Sequence, residues 1–273
     1  MTAIGGALTR FFTLVLRPFE NGNAFGGIIF ISLATGAVML VLFKLVSNQQ
    51  AMKEIKTKIS AYFLELRLYK EDASTVLASQ GRILRTNLSY MKLAVLPAVI
   101  MIIPVVLIMI QLNLRYAHHA LLPGQTAIVK VTSAPGVDVL GERLTLVPGQ
   151  GVEKASSAVR IPSLGETDWK IRLTERGVGT IKVASSAAEV TIPVYATTKT
   201  MPVYAEVKKA SFWDGLMNPG APRLPAAMPV AAIEIKYPPM AFNFGLFHLS
   251  WLWTFLVVSM AFGVILKYVF KVE

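Results

Sequence analysis

The residues of this chain that could do chemistry are few, and their spacing argues against catalysis. His118 and His119 are adjacent, whereas a metal would need both imidazoles and at least one further ligand. Adjacent side chains on a regular element point apart, so the two are expected to form a solvated pair just past a hydrophobic run. His248, the third histidine, reads as a membrane-interface or helix-packing residue. Glu166 and Asp168 stand close together, yet they suggest no paired-carboxylate arrangement for hydrolysis and are expected in an ordinary loop. Cysteine is absent, which removes thiol catalysis, disulfides and cysteine metal sites. The expectation is a protein that is not an enzyme and uses no metal and no cofactor.

The elements that would position these residues are dominated by hydrophobic runs. The chain is 54% hydrophobic and 16% charged over 273 residues, too apolar for an ordinary soluble domain. Residues 24–43, 93–112 and 246–266 each meet the requirement of about 20 apolar residues for a hydrocarbon core of about 30 Å. None of these runs contains Asp, Glu, Lys or Arg. The expected fold class is a membrane protein. It has three transmembrane α-helices, a cytoplasmic antiparallel coiled-coil hairpin over residues 44–92, and an extracytoplasmic β-sandwich-like domain over residues 113–245. Residues 1–23 form an N-terminal interfacial segment outside, and residues 267–273 a cytoplasmic tail. In the N-terminal segment Leu8, Phe11, Phe12, Val15 and Leu16 would face lipid and Thr9, Arg10 and Thr13 water; a disordered tail is the alternative. The apolar patch there is too short for a cleavable signal peptide.

The hairpin carries Lys44, Lys53, Lys56, Lys58, Arg67, Lys70, Arg82, Arg85 and Lys92 against Glu54, Glu65, Glu71 and Asp72. A net charge of +11 invites a nucleic-acid reading, but this concentration between two spans favours the positive-inside rule and a cytoplasmic hairpin. Nucleic acid is then not an expected partner. Met52, Ile55, Ile59, Tyr62, Leu66 and Tyr69 repeat at three-then-four spacing, which places them on one helical seam. Leu77, Leu84, Leu88 and Met91 share such a register on the returning arm, with Gly81 placed for close backbone approach. Lys53, Lys56, Lys58, Arg67, Lys70, Arg82 and Arg85 are candidate docking residues. The alternative is that the charge only fixes topology and attracts an anionic cytoplasmic leaflet.

In the spans, Ser32, Thr35, Gln111, Ser250, Thr254 and Ser259 make a polar line, suited either to helix–helix hydrogen bonding or to a hydrated groove. Pro97 and Pro104 should bend the second span. Beyond it, period-two alternation predicts strands around residues 127–131, 158–161, 169–173, 180–183, 189–194 and 232–235. Glu175-Arg176-Gly177 separates two of them at hairpin distance. Proline–glycine pairs mark turns at Pro123, Pro135, Pro148 and Pro219. About seven to nine short strands of this kind suggest a sandwich. Residues 211–217 read as a short amphipathic turn.

The stretch Phe43-Lys44-Leu45-Val46-Ser47-Asn48-Gln49-Gln50, with Met52-Lys53-Glu54-Ile55-Lys56, Leu64-Glu65-Leu66-Arg67-Leu68-Tyr69 and Gln80-Gly81-Arg82-Ile83-Leu84-Arg85, resembles the first hairpin arm and its return in the YidC-type membrane insertase superfamily. The likeness is to the minimal three-span archaeal-type members and the related ER membrane complex subunits. It covers about 100 residues and the last span. The resemblance implies an insertase or membrane chaperone acting without catalysis, with a cytoplasm-open groove between three spans and a hairpin that recruits substrates. Nascent substrates or membrane-protein partners would then join membrane lipids as binding partners, in a bacterial cytoplasmic membrane. The alternative is a structural or assembly subunit of a larger membrane complex, held through the outer domain and the spans.

Overall fold

The computed structural model describes residues 3–245 and 247–270. In chain order the helices are α1 (Ala3–Leu16), α2 (Ala24–Val46), α3 (Gln49–Leu68), α4 (Ala73–Tyr116), α5 (Phe212–Met217) and α6 (Trp251–Phe270). The strands are β1 (Thr126–Ser133), β2 (Thr145–Pro148), β3 (Val152–Lys154), β4 (Val159–Ile161), β5 (Glu166–Leu173), β6 (Gly177–Ala184), β7 (Glu189–Ala196), β8 (Glu206–Lys208), β9 (Val230–Ile235), β10 (Ala241–Phe244) and β11 (Phe247–Ser250). Three helices, α2, α4 and α6, are long and apolar enough to cross a membrane. A separate antiparallel β region accompanies them. The chain divides into two compact units, Met1–Ile28 with Met109–Trp253, and Ile29–Ile108 with Thr254–Glu273.

In the first unit, β3-β5-β1-β9-β8 form one sheet with β4 also on β5, and β2-β6-β7 form a second. The inward residues of β1, Ala127, Val129 and Val131, pair in register with Ile171, Trp169 and Thr167 of β5. Side chains from both sheets, including Trp169, Ile181, Ile192 and Ile233, enter one hydrophobic core. All six strands expected from alternation are present. Two expectations fail. The Glu175-Arg176-Gly177 segment does not make a hairpin, because β5 pairs with β1, β3 and β4 while β6 pairs with β2 and β7; the chain crosses there from one sheet to the other. Residues 247–250, expected as the start of the third span, are β11, paired with β10 around Gly245 at φ +66°. An apolar run cannot by itself separate a buried strand from a helix, and here Phe242 is packed against Phe25 and Tyr116.

Glu166 and Asp168 are also not in a loop. They share the outward face of β5, where Lys130 of β1 pairs with Glu166 and stands opposite Glu234 of β9. Burial, and after it the Glu166 charge, raises the Asp168 carboxyl above its usual range.

In the second unit, Asn48 caps α3 by accepting from the Ala51 N–H at 3.0 Å. Asp72 caps α4 in the same way through Ser74, satisfying donors that a helix start leaves open. The two helices make the expected antiparallel hairpin. Arg82 donates to Glu65 at 2.8 Å and stacks over Tyr62, and Lys56 lies over Tyr90. The first seam is as expected from Met52 through Leu66, but Tyr69 is exposed.

The second seam differs by one residue. Ser79 is fully buried, with Val76, Ile83, Thr86 and Tyr90 half-buried. Leu77, Leu84, Leu88 and Met91 are 73%, 65%, 52% and 58% exposed. The cross-arm ion pair, the stacked guanidinium and the small Ser79 side chain select this register over the more hydrophobic one. Gly81 accordingly approaches no other element, since a Cβ there would meet nothing within 4 Å. Gly36 of α2 does lie against α6, where a Cβ would stand 3.1 Å from the Ser259 carbonyl oxygen.

Two substitutions separate these glycines. Gly36→Leu should destabilise the helical unit by about 1–3 kcal/mol through overpacking. Gly81→Ala should stabilise α4 by about 0.5–1 kcal/mol. Thermal unfolding of each variant in detergent, followed by circular dichroism, checks both signs.

Candidate functional site

The polar centre of the first unit is the last turn of α4. Arg115 is 3% exposed and Gln111 is fully buried. The Arg115 guanidinium donates from Nη1 to the Gln111 carbonyl at 3.1 Å and to its side-chain Oε1 at 2.8 Å. From Nη2 it donates to the Thr9 carbonyl at 3.0 Å and to the Thr13 hydroxyl at 2.9 Å. Gln111 completes the network by donating to the Thr9 hydroxyl at 3.1 Å. Thr9 and Thr13, expected to face water, therefore face α4. In α1 the buried apolar residues are Phe12 and Leu16, whereas Phe11 is exposed. The reason is the pairing demand of the buried guanidinium, which the Thr9 carbonyl and the Thr13 hydroxyl, four residues apart on one helical face, meet together.

The chain immediately beyond α4 is held in place by its backbone. The Val203 N–H donates to the Leu114 carbonyl at 2.7 Å, His119 to Pro238 at 2.9 Å and Met240 to Ala117 at 3.0 Å. Beside these bonds lies a partly open cavity of about 350 Å³ lined by Arg115, His118, His119, Gln125, Thr197 and Lys199 among others. The histidine pair, expected in solvent, is thus divided. His118 is half-buried, with its Nδ1 buried and lacking a hydrogen-bond partner, while His119 is the more exposed of the two. Desolvation pushes both imidazoles below the usual histidine range.

The six polar residues expected to form one line divide between the two units. Ser32, Thr35 and Thr254 are buried within the helical unit, where Thr254 Oγ1 has no hydrogen-bond partner. Ser259 donates back to the Leu256 carbonyl at 3.2 Å. Gln111 belongs to the Arg115 network, and Ser250 closes β11 opposite Ala241. Of the hairpin cations, Arg82 pairs with Glu65. Lys53, Lys58, Arg67, Lys70 and Arg85 are on exposed positions, and Lys56 is half-buried over Tyr90. His248 bonds Asn243 Oδ1 at 2.6 Å. Among the described residues no group of three His, Asp or Glu side chains is placed to hold a metal ion.

Arg115 itself was not singled out from the sequence, because it falls three residues past the apolar run and looks like an ordinary flanking cation. The signal was the pair Thr9 and Thr13, four apart, matched by Gln111 and Arg115, also four apart. No family model, curated protein or solved structure matches the chain.

Two outcomes test this geometry. Arg115→Lys keeps the charge but loses the forked donors, so it should cost roughly 2–4 kcal/mol. Limited proteolysis should then cut near α1 faster. Because the folded imidazoles bind protons less readily than the unfolded ones, stability is full above the ordinary histidine range and falls as pH drops through it. The thermal midpoint should decline between about pH 7.5 and about pH 5.5, and His118→Gln should flatten that slope.

Proposed function

We propose that the protein is a non-enzymatic, membrane-chaperone-like protein built on the plan of the YidC-type insertases, which docks partner proteins on its hairpin. In this reading the N-terminus is outside, the hairpin and C-terminus are cytoplasmic, and the β unit is an extracytoplasmic sandwich of a bacterial inner-membrane protein.

The observation that carries it is the stripe of Leu77, Leu84, Leu88 and Met91. It lies on one face of α4 and is left uncovered by α3. Spacing of seven, four and three residues is what a third helix would need to pack along it. Arg85 and Lys92 border the stripe, and residues 73–92 contain no acid. The complementary partner is an amphipathic helix carrying carboxylates. Lipid is a poor candidate for the distal stripe. Helix α4 is continuous over 44 residues, which places Leu77 about 24 Å along its axis from residue 93, at 1.5 Å per residue.

A second reading, a structural subunit of a membrane complex, is favoured by the burial of Ser32, Thr35 and Thr254 inside the chain. Such burial suits helix packing better than an open groove.

The test is the pair Leu84→Glu with Leu88→Glu, purified from native membranes in mild detergent. It should lose a stoichiometric neighbour that the wild type retains, at unchanged thermal stability. A neighbour that stays bound would exclude the hairpin as its dock. Reconstituted insertion of short-tailed membrane substrates then separates the two readings, since a structural subunit leaves the insertion rate unchanged.

A further inference from the structure

We propose that the cavity beside the last turn of α4 binds a phosphate oxyanion, either free or carried by a lipid headgroup. Its volume of about 350 Å³ falls within the range of small-ligand sites, and its lining contains no acidic side chain. Two permanent cations, Arg115 and Lys199, share the wall with His118 and His119.

The four acceptors that hold the Arg115 guanidinium are all neutral oxygens. They satisfy its hydrogens without cancelling its charge. Among the described residues no carboxylate forms an ion pair with it. The Glu20 carboxylate attracts it through its charge, but it forms no ion pair with Arg115 among the described residues and does not line the cavity. A buried cation without an ion-pair partner is costly, and an anion in the adjoining cavity supplies one.

The remaining wall offers donors with hydrogens to spare. Gln125 accepts from the Leu122 N–H at 2.9 Å through Oε1, so its amide hydrogens remain for a ligand. Thr197 accepts from the Lys199 N–H at 3.1 Å, which leaves its hydroxyl hydrogen. His118 Nδ1 is buried and unpartnered, and it becomes a further donor to an anion once the imidazole is protonated. Lys199 is exposed at the rim and makes no ion pair among the described residues. Charged donors together with hydroxyl and amide donors match the several acceptor oxygens of a phosphate better than the planar pair of a carboxylate. Arg115 lies three residues past the apolar run of residues 93–112. That is where a span emerges among headgroups, so a phosphodiester and a dissolved phosphate both have access.

The experiment uses the full chain in nanodiscs with two probes. Discs of phosphatidylcholine are titrated with inorganic phosphate by calorimetry. Discs containing phosphatidylglycerol, without phosphate, are analysed by native mass spectrometry for retained lipid. Arg115 variants disturb α1, so the diagnostic variant is Lys199→Glu at the exposed rim, compared with the wild type at matched thermal stability. Phosphate heat that weakens about tenfold in Lys199→Glu, a change of about 1.4 kcal/mol, assigns the free anion. Phosphatidylglycerol retained by the wild type and lost from Lys199→Glu assigns the headgroup. Absence of both signals in the wild type, or equal signals in the two proteins, overturns the site.

Discussion

A guanidinium buried at the end of a long helix sets the terms for the first unit. Taking Arg115 out of water demands an acceptor for each Nη hydrogen, and two helices together supply four. That demand fixes the face α1 turns toward α4, and it explains why α1 exposes Phe11 while burying two threonines' bonds. Around it Leu112, Leu114 and Tyr116 are buried as well. Gly27 leaves room for the Tyr116 hydroxyl, which an added Cβ would overlap. The backbone following β7 then returns to cover the open Leu114 carbonyl. Residues 109–116 are therefore a post around which the rest of the first unit is packed.

A different balance governs the hairpin. Hydrophobic burial would favour the leucine stripe as the seam, at up to about 1.5–3 kcal/mol per fully buried leucine. An exposed two-helix hairpin, however, buries little of any side chain, so the transfer term is small whichever stripe is chosen. The Arg82 contacts with Glu65 and Tyr62, and the close approach that a buried Ser79 permits, decide between two nearly equivalent registers. The consequence is apolar surface left over, bordered by Arg85 and Lys92.

Much of this architecture is legible in the sequence. The hairpin and the six alternating strands follow from periodicity, because in each case one face is buried and the other is not. What escaped has physical reasons too. Positions 76, 79, 83, 86 and 90 carry the same three-four spacing as the leucines beside them, and spacing cannot rank two seams whose choice depends on a cross-arm ion pair. Strand β11 is hidden in an apolar run, and its partner β10 packs on aromatic residues from distant parts of the chain. The jump from β5 to β6 looks like a hairpin because three residues suffice for either connection. The burial of Arg115 and of His118, the latter expected in solvent, depends on segments near residues 9, 200 and 238, which no local pattern announces.

The pairing of β1 with β9 carries an implication for the order in which the molecule can be made. These strands meet across about a hundred intervening residues, whereas β6 and β7 are joined by a short turn closed by Ser185 and Ala188. Local pairing forms quickly and distant pairing slowly. The smaller sheet can assemble as soon as residue 196 has been synthesised, and β1 already has β5 beside it by then. The free edge of β1 stays open until β9 arrives, just ahead of α6. During that interval the nascent chain presents an unpaired strand edge, the kind of surface that recruits stray strands. Its protection until the last span is made is a problem of biosynthesis that the finished fold conceals.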